Sequence, residues 1–180
     1  MTVSDMTGDD RDIVLTAGAV LRGDDGAGPV LSKLMEETPI AGWRAIDGGQ
    51  TPEDDVATIR RCHPRRLVVV DAAAMGLPVG SVRRLTADDV STNYLMTTHS
   101  LPLTFMLREL EGMCDELTFL GIQPATTEFF DPLTPAVMDA VRSVYAWVAA
   151  GADPDAIPAI EGADAAARER ASGSRRDTSI

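Results

Sequence analysis

Leu67-Val68-Val69-Val70-Asp71 is a run of four apolar residues closed by a carboxylate, and it restricts the fold of this chain more than any other segment. A strand with water on one face alternates apolar and polar residues. A strand that is apolar on both faces belongs in the middle of a parallel sheet covered by helices. Parallel neighbours need crossover connections, and the flanking sequence provides them. Residues 12–18, 43–47 and 116–123 read as further strands, with an added strand over 81–86 after the Pro78-Val79-Gly80 turn. Between them Ala27, Val30, Leu31, Leu34 and Met35 recur on one helical face, as do Leu103, Met106, Leu107 and Leu110, and then Val137, Val141, Val144 and Val148. A shorter helix over 53–62 is stopped by Pro64, and Thr134-Pro135 reads as a helix start, N-cap followed by proline at the first position. The fold class expected is α/β, an open sheet with helices on both faces.

In such sheets ligands bind beyond the carboxyl ends of the strands, which makes Asp24-Asp25-Gly26-Ala27-Gly28 the informative turn. It lies between the first strand and the first helix, where glycine-rich turns usually cradle a phosphate on the helix N-terminus. Two carboxylates stand here in the phosphate's place, and the glycine spacing is not that of a dinucleotide fingerprint. The turn therefore suits a cation or a carbonyl activated by one. Asp capping of the helix is the ordinary alternative; with two adjacent acids, one can cap while the other faces the cleft. Asp71 brings a further carboxylate to the same edge, unless it only bonds the backbone of the next loop. His99, one of two histidines, opens the helix that follows Thr97-Thr98. Two carboxylates and an imidazole suit nickel, zinc, iron or manganese, without choosing among them. His63, before Pro64 at a helix end, reads as an ordinary surface or capping residue. No Ser/His/Asp or Cys/His arrangement competes.

The 180 residues fit one domain over 12–150, with a flexible N-terminus over 1–11. Residues 151–180, rich in Ala, Gly, Asp and Arg, read as a disordered tail. The net charge of −12 argues against nucleic acid as a partner. No stretch approaches the roughly 20 apolar residues of a membrane span. The polar N-terminus is not a secretory signal, and Cys62 and Cys114 without a C-x-x-C pattern point to a reducing cytoplasm.

Five segments occur in order: Gly23-Asp24-Asp25-Gly26-Ala27-Gly28-Pro29, Asp47-Gly48-Gly49 with Pro52-Glu53, Val70-Asp71-Ala72 with Met75-Gly76-Leu77, Thr97-Thr98-His99-Ser100-Leu101-Pro102-Leu103, and Gly121-Ile122-Gln123-Pro124. Together they resemble the hydrogenase maturation endopeptidases, most closely the branch that processes the large subunit of hydrogenase-3-type (formate hydrogenlyase) enzymes. The resemblance implies a three-layer α/β/α fold with a twisted, mostly parallel five-stranded sheet. It implies an enzyme that removes a C-terminal extension from the nickel–iron hydrogenase large-subunit precursor once nickel is in place. By the same resemblance Asp25, Asp71 and His99 are the nickel-contacting catalytic residues, and the nickel is supplied by the substrate. A non-catalytic checkpoint for loaded precursor and a small-substrate metallohydrolase are the alternatives. One departure stands out: the family commonly has Gly-Asn after the first strand, and this chain has Gly18-Ala19.

Overall fold

The structure, a computed structural model, describes residues 11–91, 96–97 and 100–160; residues 1–10 and 161–180 lie outside that description. The elements run β1 (Asp12–Thr16), α1 (Ala27–Glu37), β2 (Trp43–Asp47), α2 (Val56–Cys62), β3 (Arg66–Ala74), β4 (Val82–Leu85), α3 (Ala87–Ser91), β5 (Met96–Thr97), α4 (Ser100–Leu110), β6 (Glu116–Ile122) and α5 (Pro135–Ala149). Five strands form the sheet in the order β2-β1-β3-β6-β4, and β5 pairs with the end of β3. All neighbours in the five-stranded path are parallel except β4, which closes one edge antiparallel to β6. The expected three-layer, mostly parallel sheet is the observed one.

Side-chain alternation along each strand divides the core. Ile13, Leu15, Leu67, Val69 and Phe119 face α2, α3 and α4, where they meet Ile59, Val90, Leu103 and Leu107. Val14, Val68, Val70, Leu120 and Ile122 face α1 and α5, where they meet Leu31, Val137, Val141 and Val144. Each fully buried Val or Leu contributes about 1.5–3 kcal/mol relative to exposure, so the two layers together hold the sheet.

Some elements differ from the sequence expectation for identifiable reasons. β3 is nine residues long, because β6 pairs with it as far as Ala72 and β5 pairs with Ala73 and Ala74. The helix expected over 53–62 begins as a 3₁₀ turn, Pro52–Asp55, before α2 proper. His63 ends α2 in the left-handed region (φ 45°), in its expected capping place. α3 has too few residues to show a period. It is set by a reciprocal cap in which Thr86 N–H donates to Asp89 Oδ2 (2.7 Å) and Asp89 N–H to Thr86 Oγ1 (3.2 Å).

The expectation of a disordered tail from residue 151 is corrected for its first ten residues. Ala152 and Ile157 are buried in the α1/α5 layer. Residues 158–160 run beside β4, with Arg84 N–H donating to Pro158 O (2.9 Å) and Ile160 N–H to Arg84 O (3.1 Å). The indole of Trp147 donates to Asp153 O (2.8 Å). An edge strand offers unpaired backbone groups to any extended chain, so this segment docks with only two well-buried side chains, and composition alone does not reveal it. A chain ending at Ala150 should melt below one ending at Ile160, and Ile157→Ala should cost about 2 kcal/mol in denaturant unfolding; equal melting would show that the docked segment adds nothing.

Candidate active site

The order β2-β1-β3 places a switch point between β1 and β3: the chain leaves β1 through α1 on one face and returns from β2 through α2 on the other. Crossovers diverging to opposite faces leave a crevice beyond the carboxyl ends of those two strands. β1 leads into the acidic turn, and β3 carries Asp71. The register sets Thr16 beside Val70, so Asp71 lies one residue beyond the end of β1. The acidic turn, a 3₁₀ turn over Gly23–Gly26, packs against β3.

The two acids of the turn have different work, and neither caps α1. Asp24 is buried and accepts three hydrogen bonds: Thr134 N–H to Oδ1 (2.7 Å), Thr134 Oγ1–H to Oδ2 (3.0 Å) and Ala125 N–H to Oδ2 (2.8 Å). Its own N–H donates to Thr126 O (2.9 Å). Asp24 thus fastens the first loop to the β6–α5 loop. Thr134 does stand at the N-cap of α5, but its hydroxyl serves Asp24 in place of the helix.

Asp25 is 1 % exposed and Asp71 0 %. Asp25 Oδ2 accepts from Ala19 N–H (3.0 Å), and Asp71 Oδ1 from Ala72 N–H (2.8 Å). The bond from Ala19 answers the departure at that position, since the backbone N–H braces the acidic turn whatever the side chain. Gly18 makes this possible: its φ is +135°, and a Cβ there would collide with the Asp25 carbonyl oxygen. A Cβ on Gly28 would strike Ala17 O, so the helix start also lies tight on the end of β1.

His99 lies outside the described residues. Thr97, two residues before it, pairs with Ala73, two residues after Asp71, and α4 starts at Ser100. Among the described residues no three His, Cys, Asp or Glu side chains are grouped to hold a metal ion.

Gln123, quoted above only as part of a segment, has a definite task. Its Oε1 accepts from Met75 N–H (2.6 Å) and Leu77 N–H (3.2 Å), holding the loop that leaves β3 just past Asp71. A buried amide at a strand end before proline was the available signal.

Beside the acidic turn lies a cleft of about 290 Å³, lined by residues 18–22 on one wall and by Asp47, Gly49 and Gln50 on the other, with Phe129 at its rim. The loop after β2 is strongly acidic. Burial, then the neighbouring Asp54 and Asp47 charges, raise the Asp55 carboxyl above its ordinary 3.8. On the far side of the molecule, burial followed by Asp115, Glu111 and Glu116 pushes the Cys114 thiol up to about 11, in keeping with an inert thiol.

Comparison with known proteins decides the family. A model described as hydrogenase maturation protease matches residues 29–150. The hydrogenase 3 maturation protease of Escherichia coli is 42% identical over 134 residues, 74% of this chain and 86% of that protein. The chain belongs to the hydrogenase maturation protease family. The solution structure of the Escherichia coli endopeptidase HycI superposes with a TM-score of 0.77 at 38% identity, covering 83% of this chain and 96% of that one. A [NiFe] hydrogenase maturation protease from Thermococcus kodakarensis shares the fold at TM-score 0.66 and 24% identity, over 82% and 96% of the two chains. Like these, the present maturation protease is an α/β endopeptidase.

Two measurements test the site's construction. Asp55→Asn should stabilise this maturation protease at neutral pH. The gain should fade as pH falls through the raised folded value and vanish below about 3.8, where both states of the wild type are protonated. A pH-independent difference in melting temperature would contradict the raised carboxyl. Gln123→Ala should cost about 1–3 kcal/mol by stranding two backbone donors, read by chemical denaturation; a loss below 0.5 kcal/mol, a rough floor for a bond of this kind, would show that the loop does not depend on it.

Proposed function

We propose that this maturation protease removes the C-terminal extension of a nickel–iron hydrogenase large-subunit precursor, and that Asp25, Asp71 and His99 engage nickel carried by that precursor. The observation supporting the reading is that two buried carboxylates, Asp25 in the turn that packs against β3 and Asp71 on β3 itself, stand beyond the end of β1 at the switch point of the sheet. The donor chemistry fits: carboxylate oxygens and a neutral imidazole are suitable ligands for a borderline divalent ion. Nickel belongs to the substrate in this reading, and when bound it supplies Lewis acidity toward the scissile carbonyl or a water.

The chain's own residues do the rest. Asp24 and Ala19 hold Asp25 in place, and Gln123 steadies the exit of β3 behind Asp71. Asp25 or Asp71 takes the proton of the attacking water as general base. With both carboxylates buried, substrate reaches them only when the chain covering them is displaced, and precursor binding provides free energy for that step. No helix among the described residues is long and apolar enough to cross a membrane, and Cys62 and Cys114 are thiols outside any disulfide, which is compatible with an enzyme working in the reducing cytoplasm.

Incubating the protein with nickel-loaded and nickel-free precursor, and following precursor mass, tests this. Loaded precursor should lose its extension and nickel-free precursor should not. Asp71→Asn and His99→Ala should each reduce cleavage by at least the roughly 10–100-fold that loss of a ligand-supporting group costs at metal sites. Equal cleavage of both precursors would overturn the nickel requirement. Binding without mass loss would identify a checkpoint protein instead.

A further inference from the structure

We propose that Val20, Leu21, Phe129 and Phe130 form the platform on which the precursor docks, through large apolar side chains near its scissile bond. The proposal rests on the functional reading just given and specifies the surface that serves it. Six large apolar side chains are exposed among the described residues, and four of them stand at this one place. Scattered exposed hydrophobics need no explanation, but a cluster beside a catalytic turn does.

The platform is built, not floppy. Phe130 N–H donates to Leu21 O (2.8 Å), and Arg22 Nε–H to Thr127 O (3.2 Å). The Arg22 guanidinium lies 4.7 Å from the centre of the Phe129 ring, and the two phenylalanine rings are 6.1 Å apart. Phe130 is 83 % exposed and has a φ of +65°. A non-glycine residue in the left-handed region carries strain. Here the strain presents an aromatic ring to solvent, with the neighbouring Phe129 ring beside it. Rigid, pre-ordered aromatic anchors are the efficient way to gain affinity, because little entropy is lost on binding.

The occupant follows from position and charge. Val20 and Leu21 lie between two residues bonded to Asp25: Ala19 N–H donates to its carboxylate, and Asp25 N–H donates to Arg22 O (3.0 Å). Whatever sits on the platform is therefore next to the turn that holds Asp25. A second copy of this chain seated there would cover the approach to that turn. The net charge of −12 disfavours a polyanion, and Arg22 is already engaged by Phe129 and Thr127. An apolar stretch of the substrate polypeptide remains.

The test is steady-state cleavage of nickel-loaded precursor by the Leu21→Ser/Phe130→Ser double variant, with melting temperature and sedimentation measured alongside. The proposal expects KM to rise roughly tenfold or more, kcat to change by no more than about twofold, and melting to stay at the wild-type value. A Phe130→Leu variant, still apolar, should recover most of the affinity. Unchanged KM overturns the proposal. So does a fall in kcat alone, which would assign these residues to the chemical step. Wild-type dimerisation that the variant abolishes, with KM unchanged, would identify a surface for self-association. A wild type that neither binds nor cuts loaded precursor fails differently: it overturns the functional reading, and the choice of occupant with it.

Discussion

The buried carboxylate of Asp24, with two backbone donors and one hydroxyl on its oxygens, joins two loops that leave opposite ends of the chain. Hydrogen bonds to a charged acceptor contribute about 1.5–3 kcal/mol each, and a buried carboxylate without them would be costly. The same bonds fix the start of α5, the path of the β6–α5 loop and the conformation of the acidic turn. Asp25, the platform residues and the cleft all inherit their positions from this junction. A charge that looks like a second copy of its neighbour is thus the structural member of the pair.

That division explains how a turn can hold adjacent acids. Asp24 is satisfied by donors from another part of the fold, while Asp25 takes the Ala19 N–H on its carboxylate. Switch-point geometry does the rest by aligning the ends of β1 and β3, so that the acidic turn packs against the strand that carries Asp71. In the reading proposed above, nickel carried by the precursor is held by these carboxylates, and preference for loaded precursor follows from their negative charge.

The parallel sheet was legible because the sequence around β3 is apolar on both faces, and the helices because their apolar residues recur at helical spacing. The carboxylates were legible from where they fall, after strands. Their separate roles were not: Asp24 is defined by donors 101 and 110 residues away, and no local pattern contains them. The docking of residues 151–160 was hidden for a similar reason, since it rests on backbone pairing with the β4 edge. Val20, Leu21, Phe129 and Phe130 meet only in three dimensions. Ala19 shows the converse case, where a missing side chain proves unnecessary because the backbone supplies the bond.

The central claim, that Asp24 builds the site and Asp25 works in it, is tested most directly by measuring unfolding free energy and precursor cleavage for Asp24→Ala and Asp25→Asn side by side. Asp24→Ala should lose about 3 kcal/mol or more of stability, from stranded buried donors. Asp25→Asn, which keeps an acceptor for Ala19 N–H, should hold wild-type stability within about 1 kcal/mol and lose cleavage of loaded precursor. Normal cleavage by Asp25→Asn, or wild-type stability in Asp24→Ala, would contradict the account.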